Sequence, residues 1–205
     1  MASKYSAADY TFQFITVTVG MFIALLINGM VEWKNNRDLV AEAHAAIRRE
    51  VSDNLKELEG LPDVIKSANA NIDNAMTLAD QLLSSGKTDV HSLSLGFNLA
   101  TLNQSSWESA ERTGALAHMT YEDVKKYSEL YSFQGLFDTQ QRKAVDLVSQ
   151  AMGITAGADP TKASKADLVA FRQHLMSLRA SVFLTEDLGS QLTEAYRKFL
   201  QTNHH

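Results

Sequence analysis

The chain has 205 residues, a formal net charge of −5, no cysteine and two prolines. Without cysteine there are no disulfides, thiolate nucleophiles or cysteine-ligated metals. A mildly acidic chain whose clearest basic pair is an isolated Arg48-Arg49 does not fit a nucleic-acid binder.

Residues 1–11 read as a short tail. Residues 12–31, FQFITVTVGMFIALLINGMV, carry no charge. As a helix this run rises ~30 Å, the thickness of a bilayer's hydrocarbon core. Gln13, Thr16, Gly20, Ala24 and Asn28 fall on one face, and Phe14, Ile15, Phe22, Leu25 and Leu26 on the other. In lipid, small residues at this spacing admit a second helix, and amides and hydroxyls bond across the contact. The face therefore predicts packing against a protein neighbour. Tyr10 and Trp33 flank the run as interfacial aromatics, and Lys34 and Arg37 are placed to reach headgroups. MASKYSAADY holds one lysine and Asn28 to Trp33 lacks a small-x-small pattern, so a retained anchor is expected, not a cleaved leader. No second run of spanning length follows, so a single crossing is expected.

Residues 32–59 contain apolar positions at Val40, Ala43, Ile47, Val51, Leu55 and Leu58, opposite a charged face that includes Glu50, Asp53 and Glu57. They predict a stalk helix continuous with the anchor and ended by Gly60-Leu61-Pro62. The carboxylates read as a solvated row. Residues 60–205 predict a helical bundle completed by the stalk. Pro62 opens its first helix, which Ser84-Ser85-Gly86 stops. Residues 87–104 read as a loop with a short helix at Leu93 to Leu99. Ser105 or Ser106 is expected to cap a short helix through Trp107, broken at Gly114. Thr120 with Asp123 opens a long helix to about Gly153, in which Gly135 marks close packing or a kink. After a loop at 154–164, Ser164 with Asp167 opens the last helix, through Leu168, Phe171, Leu175, Leu178, Val182, Leu192, Tyr196 and Phe199. Thr185 and Gly189 share that seam and weaken it, favouring bundle packing over a sustained coiled coil. The expected fold is all-α: a single N-terminal transmembrane helix, a long stalk, and an antiparallel helical bundle.

Chemistry is sparse. His-Glu-x-x-His, Glu-x-x-His, phosphate-loop and Gly-x-Ser-x-Gly patterns are all absent. No catalytic residue, metal or cofactor is expected. Trp107, Tyr121, Tyr127, Tyr131 and Phe133 concentrate aromatics between residues 105 and 134. They are the candidate partner-docking patch, since Trp and Tyr dominate contact hot spots, beside the plainer reading of a packed helical corner.

Two stretches carry a resemblance. The first runs from Val19 to Asn28, followed by Trp33 and a basic, Asn-containing turn. The second is Trp107-Glu108-Ser109-Ala110 with Thr113-Gly114-Ala115-Leu116 and a Tyr-rich helix. Together they resemble a family of uncharacterised bacterial single-pass inner-membrane proteins, whose anchor reads like Gly-Ile-Leu-Ile-Ala-Leu-Gln-Ile-Asn-Asn-Trp. The positive-inside rule alone leans slightly towards a cytoplasmic main domain. The resemblance implies the opposite, a cytoplasmic N-terminus and a periplasmic domain, and the expectation follows it. The resemblance supplies no activity. The expected function is a non-enzymatic, membrane-anchored protein that contacts lipid and other membrane subunits or copies of itself. The alternative is a periplasmic sensory or small-ligand-binding bundle.

Overall fold

The computed structural model describes residues 7–89, 93–96, 98–155 and 162–201. The fold is all-α, with no strand among the described residues. Helix α1 spans Ala7–Glu59, α2 Leu61–Ser85, α3 Ser105–Arg112, α4 Tyr121–Thr155 and α5 Lys165–Gln201, with a 3-10 turn at Ala115–His118.

Helix α1 runs through anchor and stalk without a break, 53 residues or about 80 Å. It ends at Gly60, as expected, but the chain does not fold back there. Gly60 keeps right-handed helical angles (φ −79°, ψ −13°), and Pro62 sits in the first turn of α2, where its missing N–H costs nothing. Arg48 therefore reaches the Leu200 carbonyl, Asp73 pairs with Arg179, and Asp80 accepts from Arg172 at 2.8 Å. As the chain advances along α1 and α2, its partners step backwards along α5. The stalk and α2 thus act as one bent rod antiparallel to α5. The bundle has three rods, the others being α4 and α5, where short reversing connections would have given four.

Helix α5 is the central rod and packs along α1, α2 and α4. Leu168, Phe171, Leu175, Leu178, Val182, Thr185, Gly189, Leu192, Tyr196 and Phe199 are all buried, an unbroken alternation of three- and four-residue steps. Thr185 and Gly189 do not interrupt this seam. The Thr185 hydroxyl donates to the Ser181 carbonyl at 2.9 Å, which satisfies it within its own helix. At Gly189 the rods approach too closely for a side chain. A Cβ built there would overlap Leu61 Cδ2 and stand 3.0 Å from Phe137 Cε2. Gly189→Ala is therefore expected to cost about 1–3 kcal/mol, the usual range for overpacking. Urea unfolding in detergent, followed by circular dichroism, checks this; an unmoved midpoint would show that Leu61 and Phe137 give way freely. Gly135 plays no such part, because nothing lies within 4 Å of a Cβ added there.

Local capping fixes two helix starts. The Asp123 N–H donates to Thr120 Oγ1 (3.2 Å), whose hydroxyl donates to Asp123 Oδ2 (2.7 Å). Asp167 N–H and the Ser164 hydroxyl do the same at 3.1 and 2.7 Å. The expected helix at Leu93 to Leu99 does not form. Its described residues are irregular, although Leu95 is buried. Of the expected loop at 154–164, residues 156–161 lie outside the described residues, as do His91, His204 and His205.

Candidate functional site

In the anchor, Gln13, Thr16, Gly20, Ala24 and Asn28 are all exposed, and among the described residues no other element covers them. Thr16 and Thr18 turn their hydroxyls onto their own helix, donating to the Phe12 and Phe14 carbonyls at 2.9 and 2.8 Å. Both hydroxyls are thereby satisfied without a neighbour. Gln13 and Asn28 make no side-chain bond among the described residues. At the end of the apolar run, the Arg37 guanidinium lies 5.1 Å from the Trp33 ring centroid. This cation–π pair holds a charge and an amphipathic ring at one level of the helix. Tyr10 and Trp33 are both exposed, as is Lys34. This helix is long and apolar enough to cross a membrane.

The aromatic patch is a correction. Tyr127 and Tyr131 are buried, and Trp107 and Phe133 are half-buried and packed on the core. Trp107 stacks on Tyr131 (centroids 5.7 Å apart, planes at 17°), and Tyr127 meets Phe199 edge-on at 5.7 Å. The rings of Trp107, Tyr127 and Tyr131 converge inwards, so Tyr127 and Tyr131 are spent on the core and offer no exposed face. Tyr121 stands apart, 79% exposed.

Beside these rings lies a polar seam that the sequence reading missed. The α1 and α4 backbones stand apart, and their side chains meet across the gap: His44 with Tyr127, Glu50 with Tyr131, and Asn54 with Gln134. The segment before α3 lies in this gap and is held by its main chain. Asn54 accepts from the Asn103 N–H (2.8 Å) and donates to the Asn103 carbonyl (2.7 Å). Gln141 grips Ala100 in the same two-handed way, at 2.8 and 3.2 Å. Each side-chain amide takes the place of a neighbouring strand, pairing the N–H and C=O of a part-buried segment that has no strand or helix of its own. Gln134 adds a bond to the Asn103 carbonyl at 3.1 Å and accepts from the Tyr196 hydroxyl at 2.6 Å.

Glu50 is at the centre of the seam. It is not part of a solvated row, being only 8% exposed. One carboxylate oxygen accepts from the Ser105 hydroxyl (2.9 Å) and the Ser106 N–H (2.8 Å), the other from the Tyr131 hydroxyl (2.6 Å). Neither Ser105 nor Ser106 caps α3. The cap position is Gln104, which makes no side-chain cap bond, and Glu50 supplies the anion from another helix. Burial pushes the Tyr127 hydroxyl up to about 12, with the Asp123 charge adding to the effect. Burial also raises Tyr131, reinforced by its bond to Glu50, and raises Tyr196. All three phenols therefore stay protonated donors at neutral pH. Every buried side-chain nitrogen and oxygen among the described residues has a partner. The seam's bonding capacity is spent on holding helices in register.

The one signal for these residues was phase. Glu50 and Asn54 fall three and seven residues after the core residue Ile47, on the buried stripe. Comparisons with known proteins found no matching family model, no matching curated protein and no matching solved structure.

Proposed function

We propose that this chain is a non-enzymatic, membrane-anchored helical protein that works by binding other proteins. It would act as a homo-oligomeric scaffold or an accessory subunit of a larger bacterial inner-membrane complex. The observation that carries this reading is the uncovered anchor, where the Gln13 and Asn28 amides have no side-chain partner among the described residues. Burying an amide in hydrocarbon without a hydrogen bond is costly, and a neighbouring helix that supplies one removes the cost. Support for a non-catalytic role comes from the polar seam, whose groups are committed to structural bonds. The family resemblance favours a bundle on the periplasmic side of the inner membrane, with lipid and neighbouring subunits as its contacts.

Gly20→Leu tests the reading. Among the described residues, nothing beyond its own helix turn lies within 4 Å of a Cβ at this position, so the fold itself has room for the change. Extracted from native membranes in mild detergent, the variant is expected to elute as a smaller species than the parent. Phe22→Leu, on the bulky face, is expected to leave the elution unchanged. Identical profiles for the parent and Gly20→Leu would count against a contact on this face.

A further inference from the structure

We infer that the end of the bundle carrying residues 113–121 rests on the bilayer surface, against phospholipid headgroups, with no bare stalk between. The inference rests on the anchor reading above and adds where the bundle sits. Two measures of height agree. The first is burial along α1. Residues 19–35 are exposed, and partial cover begins at Asn36 and continues at Leu39 and Val40. Trp33 and Arg37, the interfacial pair, straddle the point where cover begins.

The second is the register between α1 and α4. His44 meets Tyr127, Glu50 meets Tyr131 and Asn54 meets Gln134, at sequence offsets of 83, 81 and 80. The two helices therefore run in the same direction. Carried back six residues from the His44–Tyr127 pair, about one and two-thirds turns, that register places Tyr121 level with Asp38. Asp38 is five residues beyond Trp33, or about 7.5 Å along the helix. The headgroup layer of one leaflet is about 5–8 Å thick. Tyr121 and the turn before it therefore reach this layer when Trp33 lies at its inner edge.

The composition of this end fits the location. Residues 113–121 read TGALAHMTY, without Asp, Glu, Lys or Arg, in a chain that is 21% charged. Leu116 and Met119 pack on the core, while Ala117, His118 and Tyr121 face out. An exposed tyrosine on an uncharged turn is the amphipathic chemistry that interfacial aromatics use. The opposite end of the bundle, around Ser84, Ser85, Lys87 and Asp89, is polar and charged. Since residues 113–121 carry no charge of their own, zwitterionic headgroups suffice.

The absence of cysteine makes the test direct, because one introduced cysteine takes one fluorophore. Full-length Phe22→Cys, Tyr121→Cys and Ser85→Cys would be labelled and placed in phosphatidylcholine vesicles. Some of the lipid would carry a nitroxide quencher, on the headgroup or deep on the acyl chain. The expected result is loss of most Phe22→Cys emission with the chain quencher. Tyr121→Cys should lose emission with the headgroup quencher, and Ser85→Cys should keep its emission with both. If Phe22→Cys is quenched but Tyr121→Cys stays as bright as Ser85→Cys, the anchor stands and the surface contact is overturned. Equal quenching at Ser85→Cys also overturns it, because the bundle would then lie on its side. If Phe22→Cys is not quenched by the chain probe, the anchor reading and this inference fall together.

Discussion

Glu50→Leu is expected to lower the unfolding free energy by about 1–4 kcal/mol, since it strands a buried donor at about 1–3 kcal/mol and a part-buried one at less. The donors are the Ser106 N–H at the start of α3 and the Tyr131 hydroxyl. The Ser105 hydroxyl is also released, but Ser105 is exposed and water can take over. Leucine has nearly the right volume, so the loss reports hydrogen bonding more than packing. Glu50→Gln keeps an acceptor oxygen and is expected to lose less. Asp53→Leu is the control. Asp53 is exposed and, among the described residues, pairs with Lys56 three residues on, so its loss belongs in the range of about 0.5 kcal/mol usual for surface changes. Urea midpoints in one detergent, read with amide exchange at Ser106, check the set. Equal losses for Glu50→Leu and Asp53→Leu would show that the carboxylate does not hold α3.

Alkaline pH is expected to destabilise the fold from about pH 10 upwards, at up to about 4 kcal/mol per pH unit once three phenols contribute. The sign follows from proton counts. An unfolded tyrosine releases its proton near pH 10. In the fold, Tyr127 holds its proton to about 12, because burial disfavours the phenolate, and Tyr131 and Tyr196 are raised for the same main reason. Between these limits the unfolded chain binds fewer protons than the folded one, so stability falls as pH rises. Below pH 10 the contribution is fully present. Tyr196→Phe removes one titrating group and is expected to flatten the slope by about 1.4 kcal/mol per pH unit. Urea midpoints at pH 8, 10 and 11 measure this. A flat response through pH 11 would show that the phenols ionise as easily inside the fold as outside.

The starts of α4 and α5 and the apolar seam of α5 were legible because their signals are local. Thr120 with Asp123 and Ser164 with Asp167 bond within one turn, so four residues of sequence contain the whole device. The apolar spacing of α5 likewise lies within one segment. What escaped depends on distant partners. Gly60 does not declare whether the chain turns back or merely bends; its helical backbone and the register along α5 decide that. Thr185 and Gly189 looked like defects in a seam, but Gly189 fits because Leu61, on another rod, needs the room. Glu50, Asn54, Gln134 and Gln141 resemble solvated positions until the segment they grip is placed beside them. Tyr127 and Tyr131 advertise aromatic mass but not the direction in which it faces.

The unbroken course of α1 also fixes a compass bearing. Gly20 and Ile47 are 27 positions apart, or about seven and a half turns at 3.6 residues each. Ile47 points into the bundle, so Gly20 points away from it. A neighbour of the kind proposed, seated on Gly20, would thus approach from the open side, clear of the described residues of the bundle. A single residue inserted near Asn36 would swing that bearing by about 100°, bringing the visitor round towards the bundle's flank at the cost of the Trp33–Arg37 pair.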